Sequence, residues 1–246
     1  MNLSNNCILI TGGATGIGLA LAEQFLSLGN KVLICGRRED RLIKAKEQFP
    51  AITATRVCDI MLEHERMRLY DWMTRYQSDF NILINNAGIQ NEIDLSEACI
   101  IDLVQNEVDT NFVSPVHLSN LFIPHLAKKE HSAIINITSG LAFTPLAFMP
   151  IYCATKAAMH SFSLSLRYQL AKTSIKVFEL IPPTVDTDLD RGARANRKQS
   201  DRGISPKEFA LQAIEALKND VFEAAIGQAA GLRAKREELF PVINHS

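Results

Sequence analysis

Short apolar runs alternate with longer amphipathic segments along most of this chain. The runs are rich in Ile, Val and Leu and are apolar nearly throughout; they occupy residues 7–10, 31–35, 53–57, 81–84, 133–137, 176–181 and, more weakly, 222–226. Strands that are apolar on both faces are typical of a parallel sheet that helices cover on both sides. The runs therefore predict the strands of such a sheet.

The segments between these runs have the apolar spacing of helices that bury one face. They occupy residues 16–28, 39–49, 62–76, 111–129, 152–172 and 206–219. Strands that alternate with helices in this way predict a doubly wound α/β fold of the Rossmann type. No stretch has the composition of a linker, so we expect a single domain over residues 1–246.

Residues 188–203 depart from this alternation because they are polar, charged and nearly without apolar side chains. Two interpretations are open, a solvated loop and a mobile substrate lid. The lid is favoured because the segment follows a predicted strand end, where ligands bind in such sheets.

The bulk composition excludes several classes of protein. A formal net charge of −1 over 246 residues offers no concentrated basic surface for nucleic acid. No apolar run approaches the ~20 residues that a membrane helix needs. The five cysteines lack paired CxxC spacing, so we expect free buried thiols, no metal site and a cytoplasmic location.

The first predicted strand ends in a glycine-rich turn, TGGATGIG, at residues 11–18. Gly12 and Gly16 allow a tight turn close to a pyrophosphate, and Gly18 lets the next helix pack closely against the strand. The free N–H groups at the start of that helix attract phosphate. The position between strand and helix favours a dinucleotide site over a plain turn. The predicted binding residues are Gly12, Ala14, Thr15, Gly16, Ile17 and Gly18.

The end of the second predicted strand indicates which dinucleotide binds. An NAD site usually carries Asp or Glu there for the ribose 2′-hydroxyl, whereas this chain has Arg37 and Arg38. Guanidinium groups bind a 2′-phosphate through charge-assisted hydrogen bonds. The alternative is that both arginines are solvated surface charges. The missing acid favours NADP over NAD.

Tyr152 and Lys156 stand four positions apart at the start of a predicted helix, so their side chains share one helix face. A free phenol is a poor base at neutral pH, and a nearby ammonium favours the phenolate. Tyr152 can therefore exchange a proton with an alkoxide or an alcohol. Ser139, at the end of the fifth predicted strand, could donate a hydrogen bond to the same substrate oxygen. Taken alone, these residues also fit a helix surface and a strand cap.

Taken together, the motifs resemble the short-chain dehydrogenase/reductase family in its compact form. They are TGGATGIG at 11–18, CDI at 58–60, NNAG at 85–88, Asn111 in DTNF, Ser139 in INITSG, YCATK at 152–156 and PPTVDT at 182–187. They follow the family's order and spacing over nearly the whole chain. The stretches GATGIG, CGRRED and NNAGIQ also resemble bacterial relatives associated with D-alanylation of teichoic acid, an association that indicates little about the substrate.

The resemblance implies a seven-stranded parallel sheet and a hydride transfer between the nicotinamide and a small carbonyl compound or alcohol. It implies a catalytic tetrad of Asn111, Ser139, Tyr152 and Lys156, with Tyr152 as the acid/base. Members of the family are usually dimers or tetramers, so we expect a homodimer or homotetramer. The further cofactor contacts that the resemblance implies are Asp59, Ile60, Asn86, Ala87, Gly88, Tyr152, Lys156, Pro182, Val185 and Thr187.

One departure from the family pattern is Pro183, which stands where the family usually has glycine. Proline fixes φ and lacks an N–H, so we expect the loop beside the nicotinamide to bend differently. Apolar side chains are candidates for the substrate pocket: Leu141, Phe143, Leu146, Phe148, Met149 and Cys153. A non-catalytic dinucleotide-binding sensor or scaffold is the alternative function, and the intact tetrad favours the enzyme.

Overall fold

The apolar runs form the strands of one parallel sheet. The protein is described from a computed structural model that covers residues 1–96, 101–189 and 203–245. Its strands are β1 Cys7–Thr11, β2 Lys31–Gly36, β3 Ala54–Val57, β4 Ile82–Asn85, β5 Ser132–Ile137, β6 Ile175–Ile181 and β7 Glu223–Ala225. The seven strands lie in the order β3-β2-β1-β4-β5-β6-β7, and every pair is parallel. The predicted seven-stranded sheet is confirmed.

Helices cover both faces of this sheet. They are α1 Gly16–Ser27, α2 Glu39–Gln48, α3 Glu63–Tyr76, α4 Ile101–Val108, α5 Ser114–Leu126, α6 Pro150–Gln169, α7 Pro206–Lys218, α8 Gln228–Lys235 and α9 Phe240–Ile243. Ser205 caps α7 because its side chain accepts a hydrogen bond from the Glu208 N–H at 3.1 Å. Among the described residues, no helix combines the length and apolarity that crossing a membrane requires.

The strand β1 shows why the sheet is buried on both sides. Its successive side chains point to opposite faces. Ile8 and Ile10 join the core that contains Phe25 of α1 and Phe209 of α7, whereas Leu9 joins the core that contains Phe122 of α5. Two hydrophobic cores therefore enclose the sheet, which is the arrangement of a doubly wound fold.

Two details differ from the sequence-based expectations, and a third expectation falls mostly on residues that the structure does not describe. The edge strand β3 is not buried throughout, because its side chains alternate between half-buried and exposed. The predicted helix at 111–129 is wrong in its start, since α4 and a π-helical turn at Asp109–Val113 precede α5. Of the predicted lid at 188–203, residues 190–202 lie outside the described part of the chain.

The C-terminal segment packs on its own chain. The Thr144 hydroxyl donates a hydrogen bond to the Arg236 carbonyl at 2.8 Å. The Asn244 side-chain amide donates to the Pro145 carbonyl at 3.0 Å, and its oxygen accepts from the Ala147 N–H at 2.7 Å. These contacts support the loop that follows β5.

Candidate active site

The sheet order places a crevice between the carboxyl ends of β1 and β4. The chain runs from β1 through β2 to β3 in one direction and from β4 to β7 in the other. At such a switch point the loops after neighbouring strands diverge and leave room for a ligand. A cavity of about 610 Å³ lies there, and its lining includes Gly12, Gly16, Asn86, Tyr152 and Lys156.

Glycine is required at four positions of the turn after β1. Gly12 and Gly16 have φ of +63° and +56°, values that side chains with a Cβ rarely adopt. A Cβ on Gly18 would lie 2.4 Å from the Gly12 carbonyl oxygen. Gly18 therefore lets α1 approach the turn itself, rather than the strand as expected. Gly13, which the sequence did not single out, lets the turn approach β2, since a Cβ there would lie 2.6 Å from an Ile34 methyl group.

Asn86, after β4, holds this turn in place. Its side-chain amide donates hydrogen bonds to the carbonyls of Thr11 at 2.9 Å and Gly12 at 3.1 Å. The Thr11 hydroxyl in turn accepts from the backbone N–H groups of Asn86 at 3.0 Å and Ala87 at 3.1 Å. The two loops at the switch point are therefore fixed to each other.

The far end of the cavity is positively charged. Arg37 and Arg38 lie on its wall, and Arg41 of α2 lies there too. The sequence did not indicate Arg41, because a charged residue inside an amphipathic helix is also typical of a solvated face. Asp59 and Ile60 line the same region. The Asp59 carboxylate accepts a hydrogen bond from the Met61 N–H at 3.1 Å, which shapes the loop after β3.

Tyr152 and Lys156 lie on the cavity wall at its other end, and both are almost fully buried. The Lys156 ammonium lies 5.6 Å from the centre of the Tyr152 ring and donates a hydrogen bond to the Ile137 carbonyl at 3.0 Å. The predicted pairing on one helix face is therefore present in the structure. The bond to Ile137 ties α6 to the end of β5.

Burial lowers the pKa of Lys156 from its usual 10.5 to about 8, because the site disfavours the ammonium. A pKa of about 8 leaves this group mostly protonated at pH 7. Lys156 therefore places a positive charge beside the Tyr152 phenol at neutral pH.

Asn111 lies in the π-helical turn between α4 and α5. Its side-chain oxygen accepts a hydrogen bond from the Ile89 N–H at 2.9 Å, and its amide donates to the Ile89 carbonyl at 2.8 Å. The amide also lies 3.2 Å from the Thr155 hydroxyl, which accepts from it. A Cβ on Gly88 would lie 3.3 Å from the Asn111 oxygen and 3.6 Å from the Lys156 ammonium. Asn111 and Lys156 therefore face the same backbone turn.

Ser139 begins the short 3₁₀ helix Gly140–Ala142, and its hydroxyl accepts a hydrogen bond from the Leu141 N–H at 3.1 Å. The preceding residue, Thr138, lines the cavity. The Thr138 hydroxyl donates to the Glu179 carboxylate at 2.7 Å, and that carboxylate lies 2.8 Å from Nδ1 of His160. The sequence did not predict this buried contact, which joins β5, β6 and α6.

The loop after β6 contacts the loop after β5 and contributes to the cavity wall. The Pro182 carbonyl accepts a hydrogen bond from the Gly140 N–H at 3.0 Å, and Pro182 and Thr187 line the cavity. Val185 is buried and forms a parallel bridge with Ile204. The described lining of the cavity does not include Val185, so its contact with a cofactor stays a prediction.

The apolar residues expected at the substrate pocket divide into two groups. Leu141, Leu146, Phe148, Met149 and Cys153 cluster with Tyr152. Phe143 instead packs with Ile181 and Ala229, and its ring lies edge-on to His160. Phe143 was therefore wrongly grouped with the others, because the pattern alone cannot show which way the loop turns.

Comparison with known proteins assigns the family. The model of the family described as short chain dehydrogenase matches residues 6–198. DltE of Bacillus subtilis (strain 168), an uncharacterised oxidoreductase, is 47% identical over 251 residues, which cover 99% of this chain and 98% of DltE. The NADP-dependent 3-hydroxy acid dehydrogenase YdfG of Escherichia coli O6:H1 (strain CFT073) is 29% identical over 178 residues, 72% of each chain.

Solved structures share the fold of this chain. A short chain dehydrogenase from Burkholderia cenocepacia J2315 in complex with NADP has a TM-score of 0.81 and 25% identity, over 96% of this chain and 94% of that one. One from Burkholderia phymatum in complex with NAD has a TM-score of 0.87 and 21% identity, over 100% and 97%. The oxidoreductase and dehydrogenase names give no support to a non-catalytic sensor. This chain therefore belongs to the short-chain dehydrogenase family and is an oxidoreductase.

Proposed function

We propose that this protein is an NADP-dependent oxidoreductase that interconverts a carbonyl group and an alcohol on a small substrate, with Tyr152 as the acid/base. One observation carries the proposal. The glycine turn, the arginine cluster and the Tyr152–Lys156 pair line one continuous cavity of about 610 Å³. A dinucleotide with its phosphates on the turn and its 2′-phosphate on the arginines would extend toward Tyr152.

The residues of the cavity fit such a cofactor. A Cβ on Gly12 or Gly18 would contact backbone within 3 Å, so only glycine allows this tight turn. The turn residues Gly12, Thr15 and Gly16 line the cavity, where a pyrophosphate would lie at the start of α1. Lys156 and the Gly88 turn would hold the nicotinamide ribose, and Pro182 and Thr187 would lie beside the ring. When bound, the nicotinamide supplies the hydride that moves to or from the carbonyl carbon.

The chain's own contribution to the reaction is proton transfer at the substrate oxygen. Tyr152 donates its phenolic proton in the direction of reduction and accepts it back in oxidation. The Lys156 ammonium, 5.6 Å from the ring centre, stabilises the phenolate that forms in reduction. Ser139 donates a hydrogen bond to the same substrate oxygen, and Asn111 holds the loop that faces Lys156.

The preference for NADP rests on charge. Three arginines, Arg37, Arg38 and Arg41, surround the far end of the cavity, where a 2′-phosphate would lie. The relative YdfG is named as NADP-dependent, which supports the same preference. A guanidinium cluster binds a phosphate dianion more strongly than a ribose hydroxyl.

Replacement of Tyr152 by Phe tests the acid/base role. We expect the Tyr152→Phe variant to lose at least about 10²-fold in kcat, since general acid–base catalysis contributes about 10²–10⁴-fold. NADPH affinity, measured by fluorescence titration, should stay within a few fold. Tyr76→Phe is the matched control, because Tyr76 is 64% exposed at the end of α3. A Tyr152→Phe variant that reduces a ketone panel as fast as the native protein would refute this role.

We also propose a cytoplasmic homodimer or homotetramer. Apolar side chains that protrude from α4 and α6 support association: Leu103 is 42%, Leu164 43% and Tyr168 86% exposed. Among the described residues, four buried cysteines carry free thiols, which fits a reducing compartment. Light scattering coupled to size-exclusion chromatography measures the subunit number, and a monomer at micromolar concentration would contradict the assembly.

A further inference from the structure

A buried carboxylate lies behind the cavity wall and has no part in the function proposed above. Glu107, on α4, has 0% of its surface exposed. Its Oε1 accepts a hydrogen bond from the Asn91 N–H at 2.6 Å, whereas Oε2 has no partner within the part of the chain that the structure describes. Burial raises the pKa of this carboxyl. An apolar side chain at this position would avoid the desolvation, so packing alone does not explain Glu107.

Glu107 and Asn111 hold the same stretch of backbone. They stand four residues apart, which places both side chains on one face of the helical segment. Asn111 holds the N–H and the carbonyl of Ile89, and Glu107 holds the N–H of Asn91 two residues further on. We call residues 89–93 the substrate-side segment.

The substrate-side segment connects the Gly88 turn to the cluster around Tyr152. The segment begins next to Gly88, which faces the Lys156 ammonium. It ends at Ile93, whose N–H donates a hydrogen bond to the Phe148 carbonyl at 3.0 Å, and Phe148 packs in the cluster around Tyr152. Its backbone is therefore fixed at every second residue. The first two fixed residues, Ile89 and Asn91, line the cavity together with Gln90 between them.

The electrostatics agree with this placement. Burial is the main cause that raises the pKa of Cys153 to about 11, and the charge of Glu107 is a smaller contribution in the same direction. Cys153 follows Tyr152 directly in α6. Glu107 of α4 therefore lies close to the helix that carries Tyr152.

We propose that Glu107 is a positioning residue that fixes the substrate-side segment as the wall of the substrate site, and that it thereby sets the affinity for the carbonyl substrate. The inference rests on the proposed function, because it assigns the substrate to the Tyr152 end of the cavity. Without an acceptor at Oε1, the middle of the three fixed points is lost. Gln90 and Asn91 are then free to leave the cavity wall, whereas the cofactor contacts at the glycine turn and the arginines are unchanged.

Amide hydrogen exchange tests the attachment without any substrate. Glu107→Val removes the acceptor and the buried charge, and Glu107→Gln keeps an acceptor oxygen at the same place. We expect exchange at Asn91 to be at least about tenfold faster in Glu107→Val and close to native in Glu107→Gln. Glu107→Val should fold, because the carboxylate that it removes has one buried oxygen without a hydrogen-bond partner among the described residues. Glu107→Met serves as a second apolar variant, and equal exchange in all four proteins would overturn the attachment.

Steady-state kinetics then test the consequence for the substrate. The probe is the ketone of highest kcat/KM from a panel of aliphatic and aryl ketones with ethyl acetoacetate. We expect Glu107→Val and Glu107→Met to raise KM for this ketone about tenfold, with kcat and the NADPH Kd within about threefold of native. Glu107→Gln should restore the native KM.

The outcomes separate this inference from the proposed function. If native protein reduces no ketone, the proposed function fails while the exchange data still decide the attachment. Faster exchange at Asn91 with an unchanged KM would overturn the positioning role. A Glu107→Gln variant that behaves like Glu107→Val would also overturn it, because the charge rather than the acceptor would then matter.

Discussion

Replacement of Lys156 by Met should make this protein more stable at neutral pH while it removes the charge beside Tyr152. Lys156 is 5% exposed, so its ammonium is held in a site that disfavours the charged form. Met has a similar length and no charge, and it therefore fills the same space without the desolvation. The reason for keeping a lysine there is the proposed chemistry, not the fold.

The structure sets the size of the effect. Burial lowers the pKa of Lys156 from 10.5 to about 8, and one pKa unit corresponds to about 1.4 kcal/mol. The charged form is therefore destabilised by about 3 kcal/mol below pH 8. Met also loses the hydrogen bond to the Ile137 carbonyl, which costs about 1 kcal/mol. The variant should be more stable than the native protein by about 2 kcal/mol at pH 7.

The sign of this difference should depend on pH. The unfolded chain keeps the Lys156 proton up to about pH 10.5, whereas the folded chain releases it near pH 8, so native stability rises between these values. The advantage of Lys156→Met should therefore shrink above pH 8 and reverse at about pH 10, where the remaining cost of the buried charge falls below that of the lost hydrogen bond. Urea denaturation of both proteins from pH 6 to 11 measures the difference directly. A variant that is no more stable at pH 7, or a difference that is constant with pH, would refute the reasoning.

Two further predictions concern charged side chains, Arg37 on the cavity wall and the buried contact between His160 and Glu179. Arg37→Asp should weaken NADP binding at least about tenfold more than NAD binding, because a carboxylate repels the 2′-phosphate. Titrations of both cofactors measure this difference, and Lys44→Asp on the exposed side of α2 is the control with an equal change of charge. Equal losses of affinity for both cofactors would contradict the prediction. The hydrogen bond to Glu179 is the main cause that raises the pKa of His160, with Glu223 adding to it and burial and Arg233 opposing it. This stabilisation is complete below the unfolded pKa of about 6.5 and is lost as pH rises through the higher folded value. Glu179→Gln should therefore lower the free energy of unfolding by about 2 kcal/mol at pH 6, and its stability should decline less between pH 6 and pH 8 than that of the native protein. Urea denaturation at both pH values measures this, and midpoints that fall equally in the two proteins would contradict the prediction.

The sequence alone determined the features that depend on residues close together in the chain. A strand covered on both faces is apolar at most positions, so runs such as 31–35 and 133–137 lie within one residue of the observed strand limits. A turn that needs positive φ needs glycine, which marks Gly12 and Gly16. A spacing of four on a helix places Tyr152 and Lys156 on one face whatever the rest of the chain does.

The tertiary structure decided which distant residues meet. Glu107 looks like any polar residue of a surface helix until the fold places it against Asn91. Glu179 interrupts the apolar pattern of β6 without a visible reason, and only the packing of α6 and β5 shows its partners, His160 and Thr138. Such contacts join residues that the chain separates by 16 to 41 positions. Local periodicity carries no information on pairs at that separation, because their approach depends on how helices and strands pack rather than on the spacing within any one of them.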